Sequence, residues 1–220
     1  MASRRKIPFL YLASQSPRRV RILKDMGIPF QVVPSSYREV HKNRLSPSVQ
    51  VILHAAGKAR KARLSRAHRR IPALILGADT MIFFRKKKLG KPSSYRQAEK
   101  WLEAMGGKAH EVYTGIVLLE PETGREWQGW EKTKVFLKRW PEEKIRSYLR
   151  KIDALDKAGG YAIQERPFIV SKIRGSRTNV IGLPSGLLKK LLTRAAETLR
   201  QETPAANQLL ISDQKKKKIR

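Results

Sequence analysis

Residues Leu12–Arg19 read L-A-S-Q-S-P-R-R and stand where an apolar run of strand length, Phe9 to Ala13, gives way to a helical pattern. Ser16 is a suitable N-cap, and Pro17 fits the first helical position because the N–H that it lacks would be unpaired there. The free N–H groups of a first helical turn, together with the two arginines that follow Pro17, attract an anion. The stretch therefore predicts a strand–turn–helix unit that binds phosphate, with an ordinary turn carrying solvated arginines as the alternative.

The chain has 220 residues, enough for one sizeable domain or two small lobes with a buried core. It contains no cysteine, which excludes disulfides and cysteine-based zinc or redox sites. The basic segment Met1 to Lys6 precedes an apolar run too short for a signal peptide, and no stretch reaches the length of a membrane span. We therefore expect a soluble cytoplasmic protein that makes no contact with membranes.

The net charge is +30, from 48 Lys and Arg against 18 Asp and Glu. A field of that sign attracts nucleic acid, anionic lipid and small polyphosphates. The basic residues are spread along the chain, and the sequence contains no RNA-recognition aromatic motif, zinc finger or helix-turn-helix signature. We interpret most of the charge as solvated surface with non-specific affinity for nucleic acid.

Strand and helix patterns alternate along the chain, which predicts a mixed α/β fold. The predicted strands are Phe9–Ala13, Phe30–Val33, Ala73–Phe84, Val112–Leu119, Glu126–Trp140, Phe168–Ile173 and a short one after Gly160. Helices are predicted from Pro17 to about Met26, from Ser46 to about Arg66, and after Ser94, Glu142 and Pro184, with a hairpin tip at Lys86–Gly90 and a turn-rich link over Gly175–Leu183. The apolar pattern fades near Glu202, so we expect one domain over residues 1–201 and a basic, mobile tail over residues 202–220.

Asp79 interrupts Ala73–Phe84, the most apolar stretch of the chain. A carboxylate in such surroundings must meet a cation, a metal or several donors, because its burial alone is costly. This favours a functional acid over a turn cap at a bulge. Lys58 lies among small residues where a ligand could come close, and Asp153–Gln164, with two acids and a lysine beside a Gly-Gly pair, is interpreted as a second wall of the site.

Seven motifs, in order, make the chain resemble the Maf family, the septum-formation-inhibitor-like nucleoside triphosphate pyrophosphatases. They are L-A-S-x-S-P-R-R at Leu12–Arg19, A-x-x-K-A at Ala55–Ala59, G-A-D-T at Gly77–Thr80, K-P at Lys91-Pro92, H-x-V-x-T-G at His110–Gly115, D-K-A-G-G-Y-A-I-Q at Asp156–Gln164 and N-V-I-G-L-P at Asn179–Pro184. The resemblance covers about Leu10 to Leu192. A single motif of this kind is a weak signal, whereas seven in this order are a strong one.

The resemblance implies an elongated mixed sheet with two lobes around a cleft, similar to the inosine triphosphate pyrophosphatases. It also implies hydrolysis of a nucleoside triphosphate to the monophosphate and pyrophosphate with a divalent cation, Mg²⁺ or Mn²⁺, and suggests a homodimer. The D-K-A-G-x-Y-x-I-Q form of the sixth motif resembles the branch that acts on dTTP and UTP. Family roles fall on Asp79 as proton acceptor, on Glu39 and Asp79 as metal ligands, and on a substrate-binding set of Ser14, Arg18, Arg19, Lys58, Thr80, Lys91 and Gln164.

Several alternatives stay open at this point. If Asp79 binds the metal it cannot also be a free base, and the sequence does not separate these roles. The chain could be a basic nucleic-acid-binding protein that keeps the fold without catalysis, or an inosine or xanthosine triphosphate pyrophosphatase. Asp79 together with Lys58 and Lys91 favours an enzyme over a binding protein, since a protein that only binds an anion does not need a carboxylate facing it.

Overall fold

A computed structural model describes residues 8–39, 45–64 and 73–217, with side chains described as far as residue 201. Within these residues a mixed sheet of seven strands forms the centre of the molecule, in the order β2-β1-β3-β5-β6-β7, with β4 paired to β3. The strands are β1 Phe9–Leu12, β2 Phe30–Val32, β3 Ala73–Phe84, β4 Lys87–Leu89, β5 Ala109–Leu119, β6 Glu126–Leu137 and β7 Val170–Arg174. β1 runs parallel to β2 and β3, and the other pairs are antiparallel. The mixed α/β sheet expected from the sequence is confirmed.

Helices cover both faces of this sheet. They are α1 Pro17–Asp25, α2 Pro47–Arg60, α3 Tyr95–Met105, α4 Glu142–Leu149, α5 Arg177–Ile181 and α6 Ser185–Lys217, and short 3₁₀ turns cover Ala154–Asp156, Ala158–Gly160 and Pro167–Ile169. None of the described helices is long and apolar enough to cross a membrane.

Local signals explain where several of these elements begin and end. Gly27 stops α1 with a φ of 65°, a backbone conformation that glycine adopts without strain. The Ser94 hydroxyl accepts from the Gln97 N–H at the start of α3, and the Gln97 side chain accepts from the backbone N–H of Ser93. This is a capping box displaced by one residue, because its reciprocal bond goes to Ser93 rather than to Ser94.

Two clusters of buried side chains lie on the same face of the sheet and make the two lobes. Along β3, Leu74, Leu76 and Ala78 belong to the cluster that includes residues of α1 and α6, whereas Ile82 belongs to the cluster that includes residues of α3 and α4. Side chains two residues apart share a face of a strand, so Thr80 lies on this face between the clusters. The opposite face of β3 packs against α2. A cleft between the lobes therefore centres on Thr80.

The second helix is shorter than predicted. It ends at Arg60 rather than near Arg66, since Ala62 forms a β-bridge with Ser35 and Arg63 N–H donates to the Pro34 carbonyl. This polar segment thus pairs with the chain after β2 instead of continuing the helix; residues 65 and 66 lie outside the described residues.

Three further predictions differ from the structure. No strand follows Gly160: residues 161–164 form an extended stretch and a turn, where the Ala162 N–H donates to the Tyr148 hydroxyl instead of to a neighbouring strand. The last strand begins at Val170 because Pro167 opens a 3₁₀ turn, and the link before Pro184 contains the short helix α5. The backbone of α6 continues to Lys217, so the mobile tail over residues 202–220 stays a prediction.

Candidate active site

The site begins at an uncovered stretch of the edge of β3. β1 pairs with β3 as far as Leu76, and β4 joins the same edge only from Ile82 onward. Between these points no described strand pairs with that edge, and this leaves Asp79 and Thr80 beside a cavity of about 500 Å³.

The cavity is predominantly cationic. The charged side chains that line it are Arg18, Arg19, Lys88, Lys91 and Lys157, with the carboxylates of Glu39, Asp79 and Asp156. Its apolar wall comes mainly from the lobe of α3 and α4 and includes Ile82, Leu89, Tyr161, Ala162 and Ile163. A polyanion with an apolar or aromatic end fits this division of charge.

Two carboxylates converge on one ammonium group at the end of the cavity next to α2. Lys58 Nζ lies 2.9 Å from Glu39 Oε1 and 2.5 Å from Asp79 Oδ1. Burial acts to raise the pKa of Glu39, but the hydrogen bond and charge of Lys58 outweigh it, and the pKa lies below its ordinary value. The Asp79 side chain is 7% exposed, so this acid has the cationic partner that its apolar surroundings require.

Lys58 reaches Asp79 because α2 packs directly on β3. A Cβ on Gly77 would lie 2.0 Å from the Ala55 carbonyl oxygen, so only a glycine permits this approach. The small residues around Lys58 therefore serve contact with the sheet, and the lysine projects beyond that contact to the edge of β3.

Arg19 is buried at the junction of the two lobes. Its Nε donates to the Gly182 carbonyl at 2.9 Å, and its two terminal nitrogens donate to Ser14 Oγ at 3.0 Å and to Thr80 Oγ1 at 3.3 Å. Burial lowers the pKa of Arg19 from its ordinary value, although a guanidinium stays charged at neutral pH. These three neutral acceptors fix the guanidinium in place and leave its charge for a ligand. Ser16 precedes α1 as predicted, but its side chain forms no cap hydrogen bond. The hydroxyl of Ser16 therefore does not occupy the N–H groups of the first turn.

The other wall of the cavity is held by Asp156. Lys91 Nζ lies 2.6 Å from Asp156 Oδ1, and Arg18 NH1 lies 3.8 Å from the second oxygen. The hydrogen bond from Lys91 lowers the pKa of Asp156 below its usual range. The Arg18 contact connects α1 to the loop of the opposite lobe, and the exposed Gln164 lines the cavity further along this segment.

The structure brings all nine predicted site residues together. Seven line the cavity, namely Arg18, Arg19, Glu39, Asp79, Thr80, Lys91 and Gln164, and the other two contact members of that set, Ser14 through Arg19 and Lys58 through Asp79. Their chemical roles stay predictions.

Lys88, Asp156 and Lys157 also line the cavity; the sequence predicted the last two only as part of the second wall over Asp153–Gln164, and it did not predict Lys88. The last two belong to the D-K-A-G-G-Y motif, so the signal was present without a specific contact. Lys88 stands in the basic run Arg85–Lys88, and only the β3–β4 hairpin brings it to the cavity.

Glu39 and Asp79 have the donor chemistry that a hard divalent cation requires. Mg²⁺ commonly binds one or two carboxylates and takes its other ligands from water and substrate phosphates. Among the described residues, a second acidic group of Glu99, Glu103 and Glu142 lies on α3 and α4 outside the cavity, where Arg146 pairs with two of its members. The cavity pair is therefore the better candidate for a catalytic cation.

The sequence is similar to known proteins over most of its length. The sequence profile of the family described as Maf-like protein matches residues 9–195. The dTTP/UTP pyrophosphatase of Bdellovibrio bacteriovorus is 36% identical over 189 residues, covering 85% of this chain and 98% of that protein. That of Gloeobacter violaceus is 40% identical over 186 residues, covering 83% and 94%. The nucleoside triphosphate pyrophosphatase of a Synechococcus strain is 36% identical over 194 residues, covering 88% and 97%.

Proposed function

Since the chain belongs to the Maf-like protein family, we propose that it hydrolyses dTTP and UTP to the nucleoside monophosphate and pyrophosphate. The observation that carries this proposal is the pair Glu39 and Asp79 on Lys58, at one end of a cavity lined by five further cationic side chains. A carboxylate pair facing a polyanion site suits hydrolysis, because binding alone would be weakened by the two negative charges.

The cationic side chains neutralise the triphosphate. Arg19 offers a fixed guanidinium, and Arg18 and Lys91 can exchange their contacts with Asp156 for phosphate oxygens. Phosphoryl transfer needs little covalent help from the protein and depends on positioning and on stabilisation of the developing negative charge. These three cations would hold the α-phosphorus and the leaving pyrophosphate in line with the attacking water.

Asp79 would take the proton of that water. The water oxygen forms a bond to the α-phosphorus, the bond from this phosphorus to the oxygen that bridges it to the β-phosphorus breaks, and pyrophosphate leaves with that bridging oxygen. Lys58 contacts both carboxylates, lowers the pKa of Glu39 and holds Asp79 at the edge of β3.

A divalent cation, Mg²⁺ or Mn²⁺, would be held by Glu39 and Asp79. When bound, it would withdraw charge from the phosphate oxygens and lower the pKa of a bound water. With the ion bound, Asp79 would serve as its ligand and not as a free base.

Gln164 supports the choice of a pyrimidine base. Its side-chain amide offers one acceptor and two donors, which match the alternating carbonyl and N–H groups along the edge of thymine or uracil. The apolar wall from Ile82 and Leu89 would pack against the ring of the base.

A panel of nucleotides tests the proposal. We expect pyrophosphate release from dTTP and UTP to be faster than from ATP, GTP, ITP, XTP and 7-methyl-GTP, and to depend on Mg²⁺ or Mn²⁺. Measuring both pyrophosphate and orthophosphate distinguishes cleavage at the α-phosphorus from removal of the terminal phosphate. A preference for ITP or XTP would support the alternative specificity, and absence of turnover with every nucleotide and metal would favour a binding protein.

The expected homodimer and cytoplasmic location also stay proposals. Light scattering tests the first, and cell fractionation tests the second.

A further inference from the structure

One face of the outer strands, distinct from the cavity, carries exposed aromatic and basic side chains in alternation. On β6, Thr133, Val135 and Leu137 are buried on one side, and the residues between them point to the other. Cross-strand pairing places Lys134 opposite Arg174 and Phe136 opposite Lys172. We call the resulting surface the basic aromatic face; it consists of Trp130, Lys132, Lys134, Phe136, Lys172 and Arg174.

The aromatic rings of this face are open to solvent or covered by cations. Trp130 is 47% exposed, and its ring lies 5.9 Å from that of Tyr113 with the planes tilted by 31°. Lys132 Nζ lies 5.9 Å from the centre of the Tyr113 ring, and Arg174 Cζ lies 5.3 Å from that of Phe136. The exposed part of the Trp130 indole is an aromatic surface on which a planar group can stack.

The charge of the face has little internal compensation. Glu111 is shared between the Tyr113 hydroxyl and Lys132, with oxygen distances of 3.0 Å and 3.4 Å. Within the part of the chain that the structure describes, no carboxylate forms an ion pair with Lys134, Lys172 or Arg174. Three cations without a described ion pair beside an exposed ring suit an anionic partner that also has flat apolar surfaces.

We propose that the basic aromatic face binds single-stranded nucleic acid, a binding activity separate from nucleotide hydrolysis. Phosphates would contact Lys132, Lys134, Lys172 and Arg174, and an unpaired base would stack on Trp130, as on the sheet surfaces that bind single strands without sequence preference. The span from Trp130 to Phe136 along β6 is about 20 Å, which accommodates several nucleotides.

The positive charge and the exposed aromatic ring together favour single-stranded nucleic acid over other partners. A second copy of the chain would bring the same cations against each other. Duplex DNA would satisfy the cations but leaves the faces of its bases stacked, so Trp130 would gain no partner. Anionic lipid and acidic protein would satisfy the cations too, and the experiment includes vesicles to separate that case.

The experiment measures fluorescence anisotropy of a labelled oligodeoxyadenylate of about 12 nucleotides, a length within the site sizes known for such surfaces. Adenine is chosen to keep thymine out of the nucleotide cavity. The charge variant is Lys134→Gln/Arg174→Gln, and its matched control is Lys100→Gln/Arg150→Gln, which removes the same charge from exposed positions on the lobe of α3 and α4. The stacking variant is Trp130→Ala, with Tyr95→Ala, 49% exposed on α3, as its control and Trp130→Phe as the conservative rescue.

We expect the charge variant to bind at least tenfold more weakly at low salt and to lower the slope of log affinity against log salt by about 1.4, since each lost phosphate contact lowers it by about 0.7 on a single strand. Trp130→Ala is expected to bind at least fivefold more weakly at every salt concentration, with Trp130→Phe recovering most of the affinity. All variants should hydrolyse dTTP at the rate of the unmodified protein, which also shows that they are folded.

Three results would overturn the proposal. The matched controls could weaken binding as much as the variants of the face, which would assign binding to the overall charge. Excess dTTP could displace the oligonucleotide, which would place it in the cavity. Finally, the substitutions of Trp130 and Lys134 could weaken binding to phosphatidylserine vesicles and leave binding to the oligonucleotide unchanged. The face would then be a membrane-binding surface.

Discussion

Lys58 illustrates how one residue sets the chemistry of this site. Its ammonium group contacts both Glu39 and Asp79, and this shared contact holds the two side chains close together. The apolar residues around Asp79 predict that the acid needs a partner, and the sequence also singles out Lys58. That the two meet could not be predicted from the motifs, because the contact depends on the close packing of α2 on β3.

His110 provides a prediction about pH at the scale of one residue. Burial lowers its pKa to about 4, and its Nε2 lies 2.8 Å from the hydroxyl of Tyr161, a residue of the cavity wall. Between about pH 6.5 and pH 4 the unfolded chain binds a proton that the folded chain does not, so the free energy of unfolding falls as the pH is lowered through this range. The contribution is complete at neutral pH, and about 3 kcal/mol is lost by pH 4.

Urea unfolding at a series of pH values checks this. His110→Gln should lose about 3 kcal/mol less than the unmodified protein between about pH 7 and pH 4, whatever its stability at neutral pH. His54→Gln is the control, since it leaves His110 in place and should retain most of the loss. Parallel curves for the unmodified protein and His110→Gln would show that His110 is protonated in the folded state across this range.

At the scale of the element, α2 is positioned by two glycines on adjacent strands. Cβ atoms on Gly77 and Gly115 would lie 2.0 Å from the Ala55 carbonyl oxygen and 2.6 Å from backbone atoms of Val51. The helix is thus seated on the backbone of β3 and β5 along much of its length. Its distance from the sheet decides whether Lys58 reaches Asp79.

Gly77→Ala should therefore damage both stability and activity. The backbone of α2 must move away from β3, and overpacking of this kind costs about 1–3 kcal/mol or more. We expect a lower melting temperature and at least a tenfold loss of dTTP hydrolysis, because Lys58 moves with the helix. Gly186→Ala is the matched control, since a Cβ there meets nothing within 4 Å, and it should preserve both properties. Unchanged hydrolysis by a folded Gly77→Ala variant would show that the position of α2 does not matter for the site.

Prediction of the helices and strands from the sequence succeeded where local residues determine the element. It failed where contacts with distant segments determine whether the element forms or where it ends. Proline, serine and glycine signals placed α1 and α3, and the long apolar run gave β3. The predicted end of α2 was wrong because Ala62 pairs with Ser35. The predicted strand after Gly160 was wrong because the Ala162 N–H donates to the Tyr148 hydroxyl instead of to a neighbouring strand. Neither partner can be recognised from the residues on either side of the element itself.

At the scale of the whole molecule, the two lobes share one continuous sheet and meet at Thr80. Contacts between segments far apart in the sequence close the cleft, notably Arg19 with Gly182 and Arg18 with Asp156. The family motifs predicted which segments surround the cleft. The structure adds which side chains pair across it. The contacts of Asp156 with Arg18 and Lys91 could not be predicted from the motifs.

Two separate regions of the molecule concentrate part of the high net charge. Part of it lines the cavity, where it matches a triphosphate, and part forms the basic aromatic face, where Lys132 pairs with Glu111 and the other three cations have no described acidic partner. Hydrolysis of dTTP and binding of a single strand should consequently respond to different substitutions. We expect hydrolysis to depend on Asp79.

The rate of dTTP hydrolysis by Asp79→Asn, measured together with its thermal unfolding, tests the catalytic role of Asp79. The substitution keeps the size of the side chain and removes the charge that takes a proton or holds a cation, so turnover should fall by about 10²–10⁴ while the melting temperature changes little. Asp25→Asn, at an exposed position on α1, should keep normal turnover. Pyrophosphate release by Asp79→Asn within a few-fold of the unmodified protein would contradict the assignment of this site as the catalytic centre.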